Sequence, residues 1–126
     1  MTRFKSQGFN NTFRNARKGF NLAVKSEVNI RIHVAVAALV LLLAFYLNFS
    51  VVELCIVLIA IAMVICAEML NTAIEFALDS IYHNRYSRMV GMAKDISAGA
   101  VMFATVISVI IGVILYGSKI LPIILD

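Results

Sequence analysis

Tryptophan is absent from this chain of 126 residues, proline occurs once, cysteine twice, and only 14% of positions carry a charge. Each scarcity removes a class of protein. Cys55 and Cys66 are eleven residues apart in one apolar run, about 16 Å along a helix. A disulfide needs Cα atoms within about 7 Å, so these two cannot pair, and buried, inert packing thiols are expected. Neither G-x-x-x-x-G-K-[ST] nor G-x-G-x-x-G occurs, which excludes a glycine cradle for phosphate. Met1 is followed by polar and basic residues rather than an apolar h-region. No cleavable secretory signal is expected, and the first apolar stretch should remain as a span.

What is present is apolar. Hydrophobic residues make up 62% of the chain and mean hydropathy is +0.94, far above the range of water-soluble domains. The expected class is an all-α integral membrane protein. Its net charge of +4 is lopsided: Arg3, Lys5, Arg14, Arg17, Lys18, Lys25 and Arg31 crowd the first quarter. That distribution points to a membrane surface rather than to nucleic acid.

One membrane domain covers residues 1–126. Between about residues 8 and 27, Phe9, Phe13, Ala16, Phe20, Ala23 and Val24 recur at three- and four-residue steps between basic residues, the pattern of an amphipathic helix lying among headgroups. Residues 30–47 form the first expected span, about 27 Å of helix. Asn48-Phe49-Ser50 is a short turn, and Ser50 with Glu53 has capping-box spacing for the next helix. The apolar run 54–67 is too short to cross alone, so the second span is expected to cover 51–80 and to carry its carboxylates at one end. The stretch 82–92 reads as a loop, and 96–117 as a third span rich in small residues that allow close packing. Pro122 should end the helical pattern. Seven Lys and Arg lie before or at the very start of span one, none lies in the first turn, Arg85, Arg88 and Lys94 lie between spans two and three, and Lys119 follows. The positive-inside rule then makes the N-terminus and the 80–95 loop cytoplasmic and the C-terminus external.

Glu68, Asn71, Glu75 and Asp79 stand at steps of three, four and four, in one stripe of a helix. Glu27, Lys94 and Asp95 are expected to meet this stripe near one plane at the cytoplasmic interface. A charge at bilayer depth costs about 2.5–3.5 kcal/mol on insertion scales, so such a cluster calls for pairing, water or metal. Mg2+ suits it, because it takes carboxylate oxygens and shares its shell with substrate phosphates. Structural pairing with Lys94 or Arg31, and translocation of protons or cations by an oligomer, remain open on these residues alone. His33 reads as a packing or interface residue, and Glu53 as an outer cap.

The block Glu68-Met69-Leu70-Asn71-Thr72-Ala73-Ile74-Glu75, with Asp79 behind it, then Ala93-Lys94-Asp95 leading into Ala98-Gly99-Ala100-Val101, resembles the signature of the small prokaryotic diacylglycerol kinase family, which includes undecaprenol kinases. Glu27-x-Asn29-x-Arg31-x-His33 resembles that family's upstream element, and the likeness runs in order through nearly the whole chain.

The resemblance implies a homotrimeric kinase in the bacterial inner membrane, with a surface helix and three spans per chain. It would move the γ-phosphoryl group of MgATP to a lipid alcohol at the cytoplasmic face. Carried over by position, Glu68 would be the general base, Glu27 and Glu75 would hold Mg2+, and Glu27, Asn71, Glu75, Lys94 and Asp95 would contact ATP. Glu68, Asn29 and Ala98 would face the lipid. Gly8 occupies the position where the family commonly has Arg, leaving Arg3 or Lys5 as substitutes, and Leu54 stands where the family often has Trp. Asp79 and the 82–90 loop receive no role. Asn29, His33 and the 95–101 run look more like the undecaprenol branch than the enterobacterial diacylglycerol branch.

Overall fold

The computed structural model describes residues 8–126, so Arg3 and Lys5 lie outside the described residues. Four helices follow in order: α1 (Phe9–Ser26), α2 (Val28–Tyr46), α3 (Val51–Tyr82) and α4 (Arg88–Leu125). The last two have 32 and 38 residues. At 1.5 Å per residue α3 is about 48 Å long, well beyond the ~30 Å hydrocarbon core. One end of it must therefore stand in the interface, and the sequence puts Glu75 and Asp79 there.

Single residues set the joints. Glu27 is at once the C-cap of α1 and the N-cap of α2, in extended conformation (φ −115°, ψ 120°). The carbonyls left open by the end of α1 are met by Arg31, whose Nη1 donates to Lys25 O at 2.8 Å and lies 3.5 Å from Val24 O. A cation at a helix C-terminus also suits the local dipole. Between α2 and α3, Asn48 takes a left-handed conformation (φ 54°), which asparagine tolerates better than most residues. The expected capping box is present: Glu53 N–H donates to Ser50 Oγ at 3.2 Å, and Ser50 N–H to Glu53 Oε2 at 2.7 Å.

α3 packs against both α4 and α2, and α1 rests on the start of α2 and on α3. Buried positions of α3 run Val57, Ala60, Val64, Glu68 and Thr72, steps of three and four that form one seam. Ala44, Phe49 and Val57 make a small core with Leu47, Leu54, Leu115 and Tyr116 around it. Tyr116 ties α4 to α2 through its hydroxyl, which donates to Val40 O at 2.6 Å. Much of the outer surface is large and apolar, including Leu39, Leu42, Ile59 and Phe103, each about two-thirds exposed. Such a surface is compatible with lipid rather than water. With three helices long and apolar enough to cross a bilayer, this is a multi-pass membrane protein.

Three expectations are corrected. The stretch 82–92 is not all loop: His83 and Asn84 turn through left-handed conformations, and α4 already starts at Arg88 because Ser87 Oγ accepts from Val90 N–H at 3.2 Å. Gly91 does not break this helix; it makes room for Tyr86, whose hydroxyl lies 3.0 Å from where a Cβ would stand. Pro122 does not end α4, which runs on to Leu125. Near a helix end a proline removes one ladder bond, and its own carbonyl still accepts from Asp126 N–H at 3.2 Å. Finally, Cys55 and Cys66 are free but exposed rather than buried, because each stands two residues off the buried seam of α3.

Candidate active site

The polar stripe of α3 divides among three partners. Glu68 lies on the buried seam, 7% exposed, and its Oε1 is 3.2 Å from Nε2 of His33 on α2. One turn on, Asn71 Nδ2 donates to Glu75 Oε1 at 3.2 Å. The Asn71 carbonyl in turn accepts from Ser97 Oγ of α4 at 2.7 Å, which orients the amide. The Ser97 hydroxyl also lies 3.0 Å from Lys94 O, so one hydrogen has two acceptors. At the far end of the stripe, Lys94 Nζ and Asp79 Oδ1 are 2.6 Å apart.

These contacts are spread along the helix axis. Glu68 and Asp79 are separated by about 16 Å of helix, so the polar groups form a ladder of three rungs down one side of α3. The deepest rung joins α3 to α2; the other two join it to α4. Asp79 thereby gains a partner, and Arg31 pairs with the backbone of α1 rather than with a carboxylate of the stripe.

Other expected site residues make no hydrogen bond or ion pair to the ladder. Glu27 is half-buried at the α1–α2 joint, while Asp95, Asn29 and Ala98 are exposed. Among the described residues, neither Glu27 nor Asp95 has a side-chain hydrogen bond or ion pair. No three His, Cys, Asp or Glu side chains converge among the described residues. A closed protein cage is not what Mg2+ usually has; one or two carboxylates plus phosphate oxygens and water suffice. Glu75, with one oxygen held by Asn71, and the unpaired carboxylate of Glu27 are donors of that type.

Two cavities flank the ladder. An apolar groove of ≈ 570 Å³ runs between α2, α3 and α4, with Val36, Val40, Ala60, Val64 and Gly112 in its walls and His33 among its lining residues. Its hydroxyl groups are turned to backbone: Ser108 Oγ donates to Ala60 O at 3.1 Å and Thr105 Oγ1 to Val101 O at 2.9 Å. A smaller, more polar cavity of ≈ 280 Å³ holds Asp79, Arg85, Tyr86, Lys94 and Asp95. Sequence reasoning missed Ser97, Arg85 and Tyr86, and read His33 as a packing or interface residue. The one available signal was Ser97 standing two residues after Asp95, on the turn that follows Lys94.

The model of the prokaryotic diacylglycerol kinase family matches residues 14–116. Undecaprenol kinase of Bacillus subtilis is 35% identical over 111 residues, 88% of this chain and 89% of that protein. Diacylglycerol kinase of Synechocystis is 32% identical over 101 residues, 80% of this chain but 58% of the longer relative. Diacylglycerol kinase of Escherichia coli K12 is 30% identical over 101 residues, 80% of this chain and 82% of its own length. A match that takes in α2, α3, most of α4 and every rung of the ladder means that the chain belongs to the prokaryotic diacylglycerol kinase family and is a lipid kinase.

Proposed function

We propose that the protein transfers the γ-phosphoryl group of ATP to the primary hydroxyl of a membrane lipid alcohol, with undecaprenol preferred over diacylglycerol. The observation that carries this reading is the meeting of the apolar groove with a buried carboxylate through His33. A hydrocarbon chain in the groove brings its hydroxyl toward Glu68. Glu68 takes the proton as the lipid oxygen bonds to the γ-phosphorus, the bond to the bridging oxygen breaks, and ADP leaves. A base must lie within hydrogen-bond reach of that hydroxyl, and Glu68 is the deepest carboxylate of the stripe.

Glu27 and Glu75 hold Mg2+, with Asn71 fixing the Glu75 carboxylate. When bound, the metal neutralises phosphate charge, the main requirement of phosphoryl transfer. Lys94 and Asp95, beside Arg85 in the smaller cavity, contact the nucleotide, and Asp79 steadies Lys94. Asn29 and Ala98 face the lipid.

The surplus of Lys and Arg before α2 and between α3 and α4 supports a cytoplasmic site, an N-terminus inside and a C-terminus outside the bacterial inner membrane. α1 lies on that surface, its Phe9, Phe13 and Phe20 exposed for lipid and its basic residues for anionic headgroups. A homotrimer supplies walls that one chain lacks, since Glu27 and Asp95 have no side-chain partner within the described residues. Family membership sets the cation-conduction reading aside.

The test is labelled ATP with a panel of lipid alcohols and purified protein in detergent. Phosphate should pass to undecaprenol faster than to diacylglycerol and require Mg2+. Transfer to neither lipid by folded protein overturns the proposal, and faster transfer to diacylglycerol overturns the lipid preference alone.

A further inference from the structure

Among the described residues, the side chain of Glu68 has one partner, His33. The two are 35 positions apart in sequence and meet only because α2 packs on α3. Glu68 is the sheltered member, with 9% of its side chain exposed against 27% for His33. Carboxylate torsions are broad and roughly two-fold, so an unheld carboxylate behind the groove-lining His33 would sample orientations in which neither oxygen faces the substrate. A donor on one oxygen removes that freedom and leaves the other as the single accepting atom.

His33 is well placed to be that donor. Ile30, one turn earlier on α2, is fully buried and fixes the helix against its neighbours. Arg31, the nearest cation in sequence, is committed to Lys25 O and Val24 O and does not compete for Glu68. His33 also lines the apolar groove, so one imidazole touches both the path of the lipid and the carboxylate. With Glu68 ionised, the imidazole nitrogen facing it carries the hydrogen.

We infer that His33 is a positioning residue for phosphoryl transfer: its Nε2–H holds Oε1 of Glu68, so that Oε2 faces the lipid hydroxyl arriving along the groove. The inference rests on Glu68 being the base. It distinguishes His33 from a packing side chain, because what matters is a hydrogen on a nitrogen at the right reach and not the volume filled.

The experiment compares His33→Leu, His33→Gln and Glu68→Gln in the full chain, by steady-state kinetics with labelled ATP and undecaprenol and by thermal melting in the same detergent. His33→Leu should lower kcat on the order of 10- to 100-fold, the cost of a displaced catalytic group, with KM for ATP and lipid unchanged. His33→Gln, which keeps an N–H donor, should recover most of that loss. Should His33→Leu lose the fold, His33→Asn takes its place, since its shorter amide falls away from Glu68 and should show the same loss of kcat. Wild-type kcat in the donor-free or short variant, a change confined to KM, or a Gln variant no better than Leu or Asn overturns the inference. A kcat in Glu68→Gln close to that of the wild type overturns the base assignment itself, whereas a strongly impaired Glu68→Gln beside a fully active His33→Leu overturns the role of His33 alone.

Discussion

At the end of the bundle where α2 turns into α3, charge is closed into local structure. Glu53 accepts from the Ser50 backbone and meets Lys119 Nζ at 3.2 Å. Lys119 also stands 5.8 Å above the Phe49 ring, which itself packs on Tyr116 with centroids 4.7 Å apart. At the opposite end the same residue types are left partly open: Glu68 and Glu75 each have one oxygen engaged, and Glu27 and Asp95 have no side-chain partner among the described residues. Both ends carry carboxylates on α3, so composition does not separate them. Satisfaction of their hydrogen bonds does. A closed carboxylate stabilises a helix start; an open one is available to a proton, a metal or a phosphate-bearing ligand.

Substitutions should break the two ends differently. The largest effect is expected for Glu68→Gln, which removes the proposed base and should lower kcat by about 10²–10⁴-fold while nucleotide binding, read by fluorescent-analogue titration, survives. Asn71→Ala comes next. It frees the Glu75 carboxylate, and by analogy with outer-shell partners of metals should weaken apparent Mg2+ affinity by about 10–100-fold, measured as the Mg2+ dependence of turnover. If only melting temperature fell, Asn71 would be a packing residue and the contrast between the ends would disappear.

At the closed end the readouts reverse. Ser50→Ala should cost about 1 kcal/mol of stability through the lost cap, seen in detergent melting, with kcat unchanged. Lys119→Met should have the smallest effect, a loss of stability below that of Ser50→Ala and one that fades as salt rises, because exposed ion pairs are weak and screened. A fall in kcat for either variant would mean that the closed end communicates with the site.

Much of this was legible before folding was considered. The stripe from Glu68 to Asp79 and the Ser50–Glu53 cap are both local, set by the three- and four-residue repeat of a single helix. The start of α4 was misplaced because Asn84, Ser87 and Gly91 read as breakers, although Ser87 is a cap and Gly91 a seat for the Tyr86 ring. The partners of the stripe were hidden for a different reason. α2 is apolar around most of its circumference, so its periodicity does not say which face meets α3, and His33 reads equally well as an interface residue.

The sequence by itself determined an all-helical membrane chain, the stripe of carboxylates and the family signature, since each depends on residue type and spacing along one element. Tertiary structure alone decided that Glu68 meets His33, Asn71 meets Ser97 and Asp79 meets Lys94. Those pairs depend on the rotation and axial position of one helix against another. Between largely apolar helices these are set by packing of many small contacts, which no single residue announces.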